Sequence, residues 1–257
     1  MRVFILPQDP PFGQFIDLTG EDHHYLARVR RVKVGDRFPG SDTRGGRWQC
    51  TVVRIGAASL RLRLEQAQGV AGLDEHSIQL IQCLPRATKM DLIVRQATEA
   101  GVRRVIPVYS RYSQVRLRGL GDSREAEKKL ERWRRIARQA VQQSGAAVPP
   151  DIDAPRELES LLQDLNEVQS DEVRLFFHQD REGADTLHRC LSKSVKIVTL
   201  VVGPEGGVSP EEVDLLRRKS FVPITVGHTV LRTETAALYA IAAVQIVLHE
   251  RKAWEPT

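Results

Sequence analysis

From Ser77 onward the chain alternates short apolar runs with longer amphipathic segments, and this rhythm constrains the fold more than any other feature. "SIQLIQCLP", "RRVIPVYS", "VRLFFHQ", "VKIVTLVVG" and "VPITVG" read as buried strands. "KMDLIVRQATEAG", "EKKLERWRRIARQAVQQSG", "PRELESLLQDLNEV", "SPEEVDLLRRKS" and "TETAALYAIAAVQIVLHE" read as helices, with a shorter one near "ADTLHRCL". Continuously apolar strands separated by helices require a largely parallel sheet with helices on both faces, an α/β architecture. Ligands of such sheets sit at the carboxyl ends of the strands.

The first 70 or so residues follow a different rhythm. "RVFIL", "RVKVGDRFPG", "RWQCTVVRIG" and "SLRLRLEQA" are short alternating runs punctuated by Gly35-Asp36, Gly45-Gly46 and Gly56, the pattern of a small β-barrel or sandwich. One helical patch, "EDHHYLARVRRV", interrupts it, with acidic residues before basic ones as the helix dipole favours. "QGVAGLDEH" (Gln68 to His76) is the expected linker, so two domains are expected, residues 1–72 and 73–257.

Two strand-to-helix loops in the second domain carry the chemistry. In the first, "VKIVTLVV" enters Gly203-Pro204-Glu205-Gly206-Gly207. Ser209, Pro210 and Glu212 then form an N-cap, a first helical position and a capping box. The loop lacks the G-K-[ST] of a phosphate-binding P-loop. A carboxylate in the loop, followed by Glu211 and Glu212, would repel a pyrophosphate, so the ligand is neutral or cationic at this end. S-adenosylmethionine meets that requirement; a glycine turn required only by backbone geometry is the other reading of this loop. The second loop, in "VGHTVLRTETAALYAIAAVQ", runs through Gly227 and Arg232 into a helix capped by Thr233 or Thr235, with Glu234 in its first turn. That helix is apolar nearly all round, which predicts burial on several sides, by its own sheet with a second subunit as a further candidate cover.

Charge is segregated along the chain: residues 86–145 carry a net +9 and residues 146–257 a net −6. Arg28, Arg30 and Arg31 in the first domain, with Lys129, Arg132, Arg135 and Arg138 on one face of the predicted basic helix, are candidate phosphate contacts. Solvated helix faces are the alternative. Cys50, Cys83 and Cys190 are too scattered for a disulfide framework or a zinc site, and no metal is expected. No apolar run reaches the roughly 18 residues a membrane span needs. The start, "MRVFILPQDPP", reads as a strand and turn, not a signal peptide, so a cytoplasmic protein is expected.

Gly203-Pro204-Glu205-Gly206-Gly207 and Leu231-Arg232-Thr233-Glu234-Thr235-Ala236, taken together, resemble the signature loops of the RsmE family, the 16S ribosomal RNA uridine-N3 methyltransferases of the SPOUT superfamily. "HHYLARVRRVKVGD" is similar to that family's amino-terminal PUA-like barrel motif, and "KMDLIVRQATEAGVRRVIPVYSRYSQV" and "WRRIARQAVQQSG" to its next segments. "GAAVPPDI" lacks the arginine the family often has after Gly145, and "FPGSDTRGG" departs from its usual Asp-Gly turn.

The resemblance implies a PUA-like β-barrel that binds RNA, followed by a SPOUT domain with a deep trefoil knot. It also implies S-adenosylmethionine bound in the knot, 16S rRNA of the small ribosomal subunit as substrate, and an obligate homodimer. On this reading Phe177, His178, Val202, Gly203, Gly206, Gly207, Val226, Gly227, Leu231, Arg232, Thr235 and Ala236 hold the methyl donor. Arg232 is the candidate cation for the charge that develops on the uracil, with a structural salt bridge to a carboxylate as its other reading, and Glu205 and Glu234 are the candidate bases, with helix capping or loop bracing as theirs. An RNA-binding protein without donor affinity, or a methyltransferase acting on another base or on tRNA, are the rival readings.

Overall fold

The computed structural model describes residues 3–7, 15–42, 46–67, 76–86, 88–113, 123–144, 148–178, 185–191, 195–225, 227 and 229–254. The chain divides into two compact units, Met1–Asp74 with Val141–Val148, and Glu75–Ala140 with Pro149–Thr257. Of the expected linker, only His76 lies among the described residues; its Nδ1 is 2.7 Å from the carbonyl oxygen of Val195.

In the first unit, strands β1 (Phe4–Ile5), β2 (Phe15–Thr19), β3 (Arg37–Ser41), β4 (Arg47–Ile55) and β5 (Ser59–Gln66) form a curled sheet in the order β1-β3-β4-β5-β2. All pairs are antiparallel except β1 with β3. Strand β5 explains the curl's inner face. Leu60, Leu62 and Leu64 are fully buried beside Phe4, Leu18, Phe38 and Val52, while the intervening Arg61 pairs outward with Asp17 at 2.6 Å. Each such buried Leu or Phe contributes about 1.5–3 kcal/mol. A bulge between Val52 and Arg54 breaks the β4–β5 register.

The helical patch differs from the regular helix its charge order suggests. Helix α1 (Gly20–His24) passes directly into a π-helical turn, Tyr25–Val29, and the chain leaves it through Arg31 at φ 54°. The wider turn lets Leu26 reach the core with no exposure, and it carries Arg30 over the Phe38 ring, 5.1 Å from its centroid.

The second unit is the expected parallel sheet. Its main path runs β12 (Phe221–Ile224), β10 (Glu172–Phe177), β11 (Ile197–Val202), β6 (Ser77–Cys83), β7 (Arg104–Tyr109) and β8 (Asp151–Ile152), with β9 (Arg156–Glu157) also on β7, and every pair is parallel. Alternate residues serve opposite faces. Ile78 and Leu80 of β6 join one apolar layer, with α2 (Lys89–Glu99), Trp133 and Ala137 of α3 (Ser123–Ser144), and α7 (Thr233–Trp254). Ile81 and Cys83 join the other, with α4 (Leu158–Asp164) and α6 (Pro210–Arg218). A short α5 (Leu187–Cys190) matches the helix expected near "ADTLHRCL".

Helix α7 runs on as far as Trp254, because no proline or glycine interrupts the sequence until Pro256. Burial pushes the thiols of Cys50 and Cys83 up to about 12, and that of Cys190 to about 11, so all three are poor nucleophiles. Among the described residues no helix is long and apolar enough to cross a membrane, and no group of His, Cys, Asp or Glu is placed to hold a metal ion.

Candidate functional site

The loops that leave the carboxyl ends of β10, β11 and β12 converge on one cavity of about 360 Å³, within the range of small-ligand sites. Each loop follows from local chemistry. After β11 the chain turns at Gly203, where a Cβ would lie 3.0 Å from Val208 Cγ2, and at Gly206, where it would lie 3.0 Å from Tyr112 Cβ. Gly207 sits at φ 75°, a conformation side chains disfavour by about 1–2 kcal/mol. Helix α6 then starts on the predicted capping box: Glu212 N–H donates to Ser209 Oγ (3.3 Å) and Ser209 N–H to Glu212 Oε2 (2.9 Å).

The second glycine loop meets the first through a buried polar chain. The hydroxyl of Thr233 donates to the carbonyl of Gly203 (2.7 Å) and accepts from Gln82 Nε2 (3.1 Å) at the end of β6. Thr233 is thus the first residue of α7, and its oxygen ties loop to loop instead of serving as the cap the sequence suggested.

Most of the residues expected to hold a ligand border this cavity: Phe177, His178, Val202, Gly203, Gly206, Gly207, Gly227, Leu231 and Ala236, with Glu205 beside them. His178 donates its backbone N–H to Ile224 (3.2 Å) and stacks edge-on to Phe176. Arg232 and Thr235 are exposed and lie outside the lining, and Val226 lies outside the described residues. The lining also includes Pro204, Val208, Thr225, Thr229, Val230, Thr233 and Tyr239. Their positions inside or next to the two motifs were the available signal. Among the described residues no lysine or arginine lines the cavity, which agrees with a ligand that carries no phosphate there.

The loop carboxylates are held from one side. Glu205 accepts from Lys89 Nζ (2.7 Å) and from the backbone N–H of Arg86 (3.2 Å). Burial alone would raise its pKa, but the Lys89 ammonium and the backbone N–H donors outweigh it and hold the carboxyl below the usual range. Glu234 Oε2 lies 3.5 Å from the same ammonium, and this buried oxygen has no hydrogen-bond partner among the described residues.

The proposed phosphate contacts are divided. Arg28 and Arg31 are exposed, whereas Arg30 is partly buried against Phe38. On α3, Lys129 pairs with Glu125 (2.9 Å) and Arg132 with Asp91, while Arg135 and Arg138 are exposed with no ion-pair partner among the described residues. Of the departing segments "FPGSDTRGG" and "GAAVPPDI", residues 43–45 and 145–147 lie outside the described residues.

Residues 74–245 match the RNA methyltransferase domain family, and residues 18–65 the RNA methyltransferase PUA domain family. A ribosomal RNA small subunit methyltransferase E from Aquifex aeolicus is 31% identical over 224 residues, 87% of this chain and 90% of that one. The chain belongs to the RsmE family. Its Mycobacterium tuberculosis relative, with the same name, is 29% identical over 95% of this chain and 91% of its own length. Among solved structures, RsmE from Neisseria gonorrhoeae bound to S-adenosyl methionine has 28% identity and a TM-score of 0.83, covering 96% of this chain and 98% of that one. The second unit is a SPOUT-type methyltransferase fold and the first a PUA-like sheet.

Proposed function

We propose that this RsmE-family chain transfers a methyl group from S-adenosylmethionine to N3 of a uridine in 16S rRNA of the small ribosomal subunit, in the cytoplasm. The observation that carries the reading is the cavity built by both glycine loops: walls of glycine backbone, apolar side chains, hydroxyls and one imidazole, with one carboxylate and no lysine or arginine in the lining among the described residues. Its volume and chemistry fit a ligand with an adenosine and an amino-acid end, and the Neisseria gonorrhoeae relative is bound to that molecule. When bound, S-adenosylmethionine supplies an electrophilic methyl group.

This chain's residues supply the rest. Gly203, Gly206 and Gly207 let the backbone approach the donor closely, and Phe177, His178, Leu231 and Ala236 wall it from water. N3 of uracil must lose its proton as it gains the methyl, and the negative charge collects on O2 or O4. Arg232 is assigned to that charge. Glu234, whose buried Oε2 accepts no hydrogen bond from the described residues, is assigned as the proton acceptor, while Glu205 is engaged by the Lys89 ammonium and the Arg86 backbone N–H.

The first unit and Arg135 and Arg138 of α3 are assigned to the RNA. Residues 1–72 and 73–257 then divide the work of holding RNA and transferring the methyl group. A trefoil knot in the second unit and a homodimer, both implied by the resemblance, complete the proposal.

Calorimetric titration with S-adenosylhomocysteine tests the donor site. The parent is expected to bind, and Gly207→Val to lose binding at a stability cost of about 1–2 kcal/mol or somewhat more, while Gly207→Asn is expected to keep part of it. Reverse transcription of 16S rRNA incubated with enzyme and donor should then stop at a single uridine, because N3 methylation blocks Watson–Crick pairing. A parent that binds no S-adenosylhomocysteine would leave an RNA-binding protein.

A further inference from the structure

We infer that Lys89 is a positioning residue of the methyl-donor site: one ammonium that locks the two cavity loops to each other by bridging Glu205 and Glu234. The inference rests on the proposed function for its ligand, and on geometry for the bridge itself.

Lys89 is the first residue of α2, on the turn that follows β6, so its backbone is anchored by a central strand and a packed helix. From there Nζ reaches Glu205 Oε1 at 2.7 Å and Glu234 Oε2 at 3.5 Å. Glu205 belongs to the loop after β11, and Glu234 to the first turn of α7, so the two anions come from the two separate motifs. Among the described residues no other side-chain cation pairs with either. Glu234 is the most shielded of the three side chains, at 14% exposure against 32% for Lys89 and 28% for Glu205, so the bridge is only partly withdrawn from solvent and its attraction is correspondingly screened.

Removing the cation leaves two carboxylates facing one vacated position. Like charges so placed either repel, which moves the loops apart, or hold a proton between them, which changes their charge. Both outcomes disturb the wall on which the donor rests. A second link exists on the dry side, where Thr233 bonds Gly203 and Gln82. Lys89 is therefore the outer of two ties, and its loss loosens the loops without unfolding the sheet. Nothing in this role requires Lys89 to touch the reacting atoms.

The test compares the full-length parent with Lys89→Met and Lys89→Arg. Hydrogen exchange should rise about tenfold in both segments, 203–209 and 229–237, in Lys89→Met, and return towards the parent in Lys89→Arg. The Kd for S-adenosylhomocysteine should weaken by about three- to tenfold in Lys89→Met and recover towards the parent in Lys89→Arg. Unchanged exchange in both segments would overturn the bridge. Faster exchange with an unchanged Kd would overturn the positioning role. A parent that binds no S-adenosylhomocysteine would sink the donor reading instead, and exchange alone would then decide whether the bridge exists.

Discussion

Lys89 and Glu205 titrate at opposite ends of the pH scale, and their contact shifts each away from neutrality. Glu205 is lowered from 4.5, so its contribution to stability is complete above the glutamate range and is lost as pH falls through the lowered folded value. Lys89 is raised from 10.5, chiefly by the Glu205 hydrogen bond, so its contribution is complete below that range and is lost as pH rises through the raised value. The difference in thermal midpoint between the parent and Glu205→Gln should therefore be flat from about pH 6 to 9 and shrink towards zero as the solution is acidified below about pH 4. Thermal melts across that range check it, and a gap that persists undiminished at low pH would detach Glu205 from Lys89. The pair illustrates what sequence withholds. Gly203 to Gly207 announce a ligand loop through their spacing, because backbone freedom is a local property. Lys89 lies 116 residues from Glu205 and in no motif of its own, so only the parallel sheet brings the two together.

At the scale of elements, periodicity fixes type more reliably than local hydrogen bonding. The capping box at Ser209 and Glu212 is local, and it forms as the residues predict. The patch "EDHHYLARVRRV" contains nothing that distinguishes an α-helix from a π-helical turn, since the extra residue is absorbed so that Leu26 and Arg30 can reach the Phe38 side of the sheet. Strands β8 and β9, two residues each, are too short to carry any period. The basic helix α3 was legible as an element, but its charges were not legible as partners. Lys129 and Arg132 are spent on Glu125 and Asp91, leaving Arg135 and Arg138 to face solvent. Replacing Arg135 and Arg138 by Gln should lower the slope of log affinity for 16S rRNA against log salt by about 0.7–0.9 for each phosphate that is no longer neutralised, whereas the same change at Lys129 should alter it little. Filter binding over a salt series measures the slopes. Equal effects at all three positions would mean that the ion pairs on α3 open when RNA arrives.

For the molecule as a whole, the surface of α7 is the part that its own chain leaves unfinished. Ala237, Ala240, Ile241, Val244 and Leu248 are buried against the sheet and α2, as a nearly all-apolar helix requires. On the opposite side Tyr239 is 50% and Ile246 55% exposed, and Val230, in the loop before the helix, is 73% exposed. Apolar groups placed in a row on a helix face are a cost to a lone chain in water and a gain to a pair. The row is continuous with the cavity, since Val230 and Tyr239 belong to its lining. A second copy seated on this face would bury the row, and because Val230 and Tyr239 belong to both the row and the lining, donor affinity is expected to depend on assembly. Sedimentation equilibrium should find a dimer for the parent. Ile246→Asp should shift it to monomer, because a carboxylate within an apolar interface is desolvated without a partner. Ile246 does not line the cavity, so any accompanying loss of S-adenosylhomocysteine affinity in the monomer, recovered as protein concentration is raised, would come from the missing second copy. A parent that sediments as a monomer at all concentrations would assign the exposed row to a different partner and leave the donor cavity complete within one chain.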